Sequence, residues 1–365
     1  MPETISFARG APSADLLPVD AVRLAAETAL TEDATRALSY GTGIGHPGLC
    51  EWIGHRHGGI DAGRVMVTNG SLEAGWMLFS TLLAPGDEVV VEQPSYDRTL
   101  LMLDKIGVDR IGIPLEADGI DVDGLEQALA DGHEPKLVHI IPNFHNPAGC
   151  TLSEEKRRRL VELSAEHGFW IFEDDPYREV RFGGQPLVTM LELAEGTDAK
   201  VVHASSFSKT VGPGVRVGYL IGPEDEIKTL AKGASETYIS PNMLAESIVL
   251  ELCRSGDLDR NIEFVNKSLA ERRDAVVLEL GKQIPEAEYV TPGGGYFLWL
   301  DLAEGTDTRE MLAPAKDEGV AFVAGPDFMI EGGENSMRLS FAPVPPGDVP
   351  EGIARLARAL ATVRG

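Results

Sequence analysis

The stretch KVVHASSFSKTVGPGVRVGYLIG, residues 200–222, decides how this chain folds. It begins with an apolar, β-branched run, KVVHASS at 200–206, crosses a turn rich in serine, glycine and proline, and ends in a second apolar run, VRVGYLIG at 215–222. Short runs of this kind bounded by turn residues read as strands. Four more lie upstream: RVMVTNG at 64–70, EVVVEQP at 88–94, KLVHIIPN at 136–143 and FWIFEDD at 169–175. Near-continuous apolar strands are strands buried on both faces, and the helical stretches between them supply the covering layers. The pattern therefore predicts an α/β fold with a mostly parallel, doubly wound sheet. In such sheets ligands sit beyond the carboxyl ends of the strands. That rule gathers Asn69-Gly70-Ser71, Pro94-Ser95-Tyr96, Asn143 through Asn146, Asp174-Asp175 with Tyr177, and Ser205 through Lys209 toward one place.

After Leu220 the pattern changes to long helical segments, roughly 224–234 and 241–281, the second behind a Ser240-Pro241 start signal. The tail carries the apolar runs GGGYFLWLDL and SMRLSFAP with a helix between them and another at the end, which suits a smaller α/β domain. The expected division is an N-terminal segment, 1–35, packing with the small domain, a large domain over 36–250 and the small domain over 251–365. There is no internal repeat or low-complexity tract. At 365 residues and 43% hydrophobic the chain has enough apolar surface for two domains sharing a cleft. A net charge of -26 lacks the basic footprint that a polyanion requires, so no nucleic-acid partner is expected. No run of about 18 apolar residues occurs, and MPETISFARGAP does not resemble a secretory signal, so the expectation is a cytoplasmic protein without a membrane partner. Cys50, Cys150 and Cys253 are odd in number and far apart, which reads as incidental thiols rather than a disulfide framework or a metal pair.

A lysine alone reads as a solvated surface group. Lys209 is not alone: it follows a strand, stands between serines and a glycine-proline turn, and has Arg216 nearby. A deprotonated lysine among polar neighbours can form a Schiff base with a carbonyl cofactor, and the same strand ends supply a carboxylate, a tyrosine, an asparagine and small residues able to open a helix.

With these residues in view the chain resembles the fold-type I, class I/II aminotransferases that use pyridoxal 5'-phosphate (PLP), nearest to the 2-aminoadipate aminotransferase type and the aminotransferase half of MocR-type regulators. The resemblance runs over nearly the whole chain and implies a large domain with a mostly parallel seven-stranded sheet beside a smaller α/β domain. It is carried by Ser206-Phe207-Ser208-Lys209 with Arg216, by FEDDPY, by PNFHNPAG and by SMRLSFA. It implies that Lys209 is the catalytic residue and the covalent anchor of the cofactor. Ser206, Ser208 and Arg216 would surround the phosphate, and Gly70 and Ser71 would form a phosphate turn at a helix start. Asp174 would pair with the pyridine nitrogen, Tyr177 and Asn146 would reach the phenolic oxygen, and Tyr96 would stack on the ring. The charge-assisted bond from Asp174 keeps the ring nitrogen protonated and makes the ring an electron sink. Arg338 would hold the substrate α-carboxylate with two parallel bonds. Tyr40 would reach a neighbouring subunit's phosphate in a homodimer, and Arg9 would meet a distal carboxylate. Ala148 stands where the family usually has threonine or serine.

The implied function is transfer of the amino group of an L-amino acid to a 2-oxo acid, 2-oxoglutarate or pyruvate, by a ping-pong mechanism. A lyase or racemase on the same fold shares the cofactor residues and is the alternative. A MocR-type regulator needs a winged-helix domain ahead of FARGAP and is the remote one. Gly43 to Gly48 fits G-x-G-x-x-G, but a dinucleotide loop must follow a buried strand, and TEDATRALSY before it reads as helix and loop. His55 with His57, or His139 with His145, lack a third ligand at suitable spacing, so no metal is expected.

Overall fold

The computed structural model describes residues 3–364. Met1, Pro2 and Gly365, the ends of the expected first and last segments, lie outside the described residues. In chain order the strands are β1 (Ile5–Ser6), β2 (Val65–Thr68), β3 (Glu88–Gln93), β4 (Asp109–Glu116), β5 (Gly119–Ile120), β6 (Leu137–Ile140), β7 (Trp170–Asp174), β8 (Lys200–Ser206), β9 (Gly218–Ile221), β10 (Phe297–Asp301), β11 (Val320–Ala321), β12 (Val323–Ala324) and β13 (Ser336–Ser340).

The main sheet has the order β2-β9-β8-β7-β6-β3-β4-β5. Pairings among β8, β7, β6, β3 and β4 are parallel, while β9 runs antiparallel to both β8 and β2. Seven strands form its body, and the two-residue β5 adds an eighth, hairpinned onto β4 through Leu115–Ile120. The β-branched runs explain the central strands: β2 and β6 are buried at every residue, and helices cover both faces. β4 has no counterpart in the sequence reading. Its segment DRIGIPLE holds Gly112 and Pro114 and is largely half-exposed, because only two-residue β5 flanks it on the outer side.

The helical stretch read as 241–281 is two helices, Met243–Ser255 and Asp257–Gln283. Gly256 separates them at φ 74, a left-handed cap that glycine adopts without a Cβ clash, and Asp257 and Asp259 then sit in the first turn of the second helix.

A second core gathers around β10, β13 and β12 and the helices Asp257–Gln283 and Val349–Arg364, with Leu298, Leu339, Phe341 and Ile353 fully buried. β1 pairs with β11, which seats Phe7 in this core. Complete burial of that ring contributes roughly 2–3 kcal/mol. The following helix, Val19–Glu32, leans instead on Met243–Ser255, with Ala25 in the large-sheet core. Along β13 side chains alternate: Met337 and Leu339 enter the small core, and Arg338, on the opposite face, turns toward the cleft between the two cores. No helix among the described residues is long and apolar enough to cross a membrane.

Candidate active site

β2 ends at Thr68, and Gly70, at φ 91, caps the helix Ser71–Leu82 without any side-chain cap. The N–H groups of that first turn therefore face outward with the positive end of the helix dipole, an arrangement suited to an anion. Glycine is required here. A Cβ on Gly70 would lie 2.5 Å from Arg216 Nη2, and one on Gly218, in the neighbouring β9, would lie 2.6 Å from Gly70 C and Ser71 N. Arg216 itself adopts φ 52, a left-handed conformation that a side chain adopts only under constraint. Its guanidinium folds across the turn and donates to Asn69 O at 2.9 Å. From the end of β8, Ser206 Oγ accepts the Ser208 N–H at 3.1 Å and donates to Ser208 Oγ at 2.8 Å, which fixes the turn that leads into Lys209.

Lys209 is enclosed by the two cores. Its Nζ donates to Gly10 O at 2.9 Å and stands 5.3 Å and 5.1 Å from the ring centroids of Tyr177 and Tyr296. Burial depresses the amine to about 8, helped by the Arg338 charge and opposed by Asp174. Roughly a tenth of the amine is thus neutral at pH 7, far more than for an ordinary lysine, and a lysine nucleophile or base needs that neutral form.

Asp174 closes β7 on the same side. Its Oδ2 lies 3.7 Å from Nε2 of the fully buried His139, and its Oδ1 is buried with no hydrogen-bond partner. Asp175 also has a buried Oδ1 without a partner but faces away from the cavity: Oδ2 accepts from Asn143 Nδ2 at 2.8 Å, its main-chain carbonyl accepts from Ser205 Oγ, and burial raises its pKa. One acid lines the cavity, and the other braces the strand ends. Burial pushes the Tyr96 hydroxyl up to about 12 and the Tyr177 hydroxyl well above the usual range, so both are neutral donors. Arg338 donates from Nη1 to Asn146 Oδ1 and from Nη2 to Ala8 O, each at 2.9 Å. Its guanidinium carbon stands 4.2 Å and 4.7 Å from the centroids of Phe297 and Phe328. Nε is buried without a partner. Burial lowers the pKa of this guanidinium, yet it stays charged.

Ser71, Tyr96, Asn146, Asp174, Tyr177, Ser206, Ser208, Lys209 and Arg216 line one cavity. Gly70 lies against it beneath Arg216, and Arg338 joins it through Asn146. Tyr40, 84% exposed, and Arg9, also exposed, do not line it. Sequence reasoning missed the carbonyls of Ala8 and Gly10, and also Tyr296, Phe297, Phe328 and His139. Main-chain carbonyls carry no residue signature, and Tyr296-Phe297 sits inside an apolar run that reads as core. The glycines of 43–48 follow the helix Ala34–Leu38 rather than a strand and serve close packing: a Cβ on Gly45 would lie 2.7 Å from Val67 Cβ. His57 Nε2 is 2.9 Å from Tyr219 Oη, and His145 Nε2 is 3.1 Å from Glu92 Oε2, so each faces a protein group.

The lining fits PLP on this structure's own terms. The partnerless Asp174 Oδ1 calls for a protonated nitrogen. The uncapped helix start with Arg216 and two serine hydroxyls suits a phosphate, and the depressed lysine amine suits a carbonyl carbon.

The family model described as aminotransferase class I and II matches residues 2–356. The chain is 34% identical to aromatic-amino-acid aminotransferase 1 of Thermococcus litoralis, over 98% of this chain and 88% of that protein. It is also 34% identical to 2-aminoadipate transaminase of Thermus thermophilus, over 98% of this chain and 90% of that one. Its fold superposes with TM-score 0.94 on the crystal structure of a Thermus thermophilus alpha-aminoadipate aminotransferase complexed with N-(5'-phosphopyridoxyl)-L-leucine, at 31% identity over 99% of this chain and 93% of that one.

Proposed function

The chain belongs to the class I and II aminotransferases, PLP-dependent enzymes that transfer amino groups between amino acids and 2-oxo acids, and on that premise we propose that the cavity around Lys209 is its catalytic site. The observation that carries this reading is the Lys209 amine, enclosed between the two cores, depressed to about 8 and sharing a cavity with a carboxylate oxygen that has no partner. When bound, PLP supplies a carbonyl carbon for the amino group and a ring that withdraws electrons from the substrate Cα.

The protein's own groups do the rest. Arg338, clamped between two rings, receives the α-carboxylate and sets the direction of the Cα–H bond. Lys209 Nζ takes the Cα proton and returns it at the far end of the exchange, a role that a base with pKa near operating pH performs best. Asp174, whose environment offers Oδ1 no other donor, holds a proton on the ring nitrogen. Ser206, Ser208, Arg216 and the helix start at Ser71 anchor the phosphate, and the Tyr96 and Tyr177 rings exclude water from the cavity.

Four finer elements complete the reading. The active form is a homodimer in which the partner subunit's Tyr40 reaches the phosphate, supported by the 84% exposure of Tyr40 beside exposed Leu38 and Ile239. The division into an N-terminal segment, 1–35, a large domain and a small domain is supported by two separate cores, with the limit expected at 250/251 moved past the helix Met243–Ser255, whose Leu252 and Cys253 belong to the large-sheet core. The site of action is the cytoplasm, in keeping with three unpaired buried cysteines. Either aromatic or acidic amino acids, as the names of the two relatives suggest, serve as donors, with 2-oxoglutarate or pyruvate as acceptor.

The test is a half-reaction. Mixed with an L-amino acid and no acceptor, the PLP-loaded protein should release one 2-oxo acid per site and stop, and an added 2-oxo acid should restart it. Sustained acceptor-free release of ammonia would move the chain to the lyases.

A further inference from the structure

Beneath the site, His145 and Glu92 form a buried pair to which the reading above gives no role. Asn146, the residue that joins the cavity lining to Arg338, sits in a turn closed by Gly149 N–H to His145 O at 2.7 Å and His145 N–H to Cys150 O at 2.8 Å. Ala148 has no hydroxyl with which to brace that turn. Its main-chain N–H donates to His145 Nδ1 at 3.2 Å. An accepting Nδ1 carries no proton, so the neutral ring bears its hydrogen on Nε2. Nε2 lies 3.1 Å from Glu92 Oε2, somewhat off the line of a full hydrogen bond, and that oxygen also accepts the Ile141 N–H at 2.8 Å. Both side chains are buried, at 0% and 1% exposure, and Glu92 Oε1 has no partner. A carboxylate this deep favours every donor within reach. The chain of contacts thus runs from β3 through Glu92 and His145 to the turn, and from Asn146 Oδ1 to the guanidinium of Arg338.

We propose that His145, oriented by Glu92, is a positioning residue: it sets the turn so that Asn146 presents Oδ1 to Arg338 and keeps Nδ2, its only side-chain donor, for the cofactor. The proposal rests on the reading of the cavity as the PLP site.

The test compares His145→Leu with His145→Asn as PLP-loaded proteins. Asparagine places an amide oxygen near the position of Nδ1 and keeps an acceptor for Ala148 N–H; leucine fills the space without one. Three quantities are read: the pH midpoint of the bound cofactor's visible absorbance, the Kd of 3-phenylpropionate as a carboxylate probe, and kcat and KM for transfer. His145→Leu should move the midpoint, weaken the probe about tenfold and lower kcat/KM by roughly tenfold to a hundredfold, and His145→Asn should recover most of each loss. The proposal is overturned if leucine matches the wild type in midpoint and probe affinity, or if asparagine is as impaired as leucine. Should the leucine variant not fold, Glu92→Gln takes its place. It keeps an acceptor for Ile141 N–H but removes the charge facing Nε2, and it should move the midpoint in the same direction by less; no movement overturns the proposal. A wild-type protein that shows no cofactor absorbance would instead count against the site as a whole.

Discussion

Replacing Arg338 by lysine keeps the positive charge and removes the planar fork. In the structure the fork is held by Asn146 Oδ1 and Ala8 O, and lies between Phe297 and Phe328. A lysine ammonium offers the substrate carboxylate one directed bond where the guanidinium offers two, and a hydrogen bond between charged groups contributes about 1.5–3 kcal/mol. The stacking between the two rings adds roughly 0.5–1 kcal/mol that a flexible amine only partly recovers. The sum, about 2–4 kcal/mol, corresponds to a rise of roughly 30- to 1000-fold in Kd. The loss should be the same for aliphatic, aromatic and acidic amino acids, because every one presents the same α-carboxylate. The assay is a titration of the PLP-loaded variant with each class, followed by cofactor absorbance, with thermal melting to show that the fold is intact. A variant that changes preference among side chains while keeping overall affinity would refute the assignment and place Arg338 in the side-chain pocket.

Three further outcomes follow from the geometry. Cofactor capture by the ligand-free protein requires neutral Lys209, so its rate should rise with pH through about 8. Because the Arg338 charge helps to hold that value down, Arg338→Met should move the midpoint upward; a midpoint near the ordinary lysine value of about 10.4 in the wild type contradicts the burial argument. Gly218→Ala sets a methyl 2.6 Å from the backbone of Gly70 and Ser71 and should cost about 1–3 kcal/mol of stability and loosen phosphate retention, read by melting temperature and by dialysis against phosphate; an unchanged melting temperature shows that the approach is slack. Sedimentation should find a dimer, and Tyr40→Phe should weaken cofactor binding without dissociating it; a fully active monomer removes Tyr40 from the site.

The strands that position the site were legible because their burial is written in β-branched runs, as in VMVT of β2 and LVHI of β6. β4 was not, since an outlying, half-exposed strand tolerates Gly112 and Pro114. The break at Gly256 was present as a glycine followed by two acids in a first turn, but continuous helical periodicity on either side masked it. Within the site, Lys209, Asp174 and Asn146 stand at or just beyond strand ends, where the strand-end rule collects them. The straps over Lys209 and Arg338 come from the carbonyls of Gly10 and Ala8, 199 and 330 residues away along the chain, and only folding brings them there. The separation of Asp174 from Asp175 likewise depends on which carboxylate meets Asn143.

The central claim is that Lys209 is the cofactor's covalent anchor. Incubating the protein with PLP, reducing with borohydride and sequencing the peptides by mass spectrometry tests it without any assumption about substrate. The account predicts one reduced cofactor per chain, on Lys209 within SSFSKTVGPGVR, and none after Lys209→Ala. Modification spread over exposed lysines, or a single adduct on another residue, contradicts it.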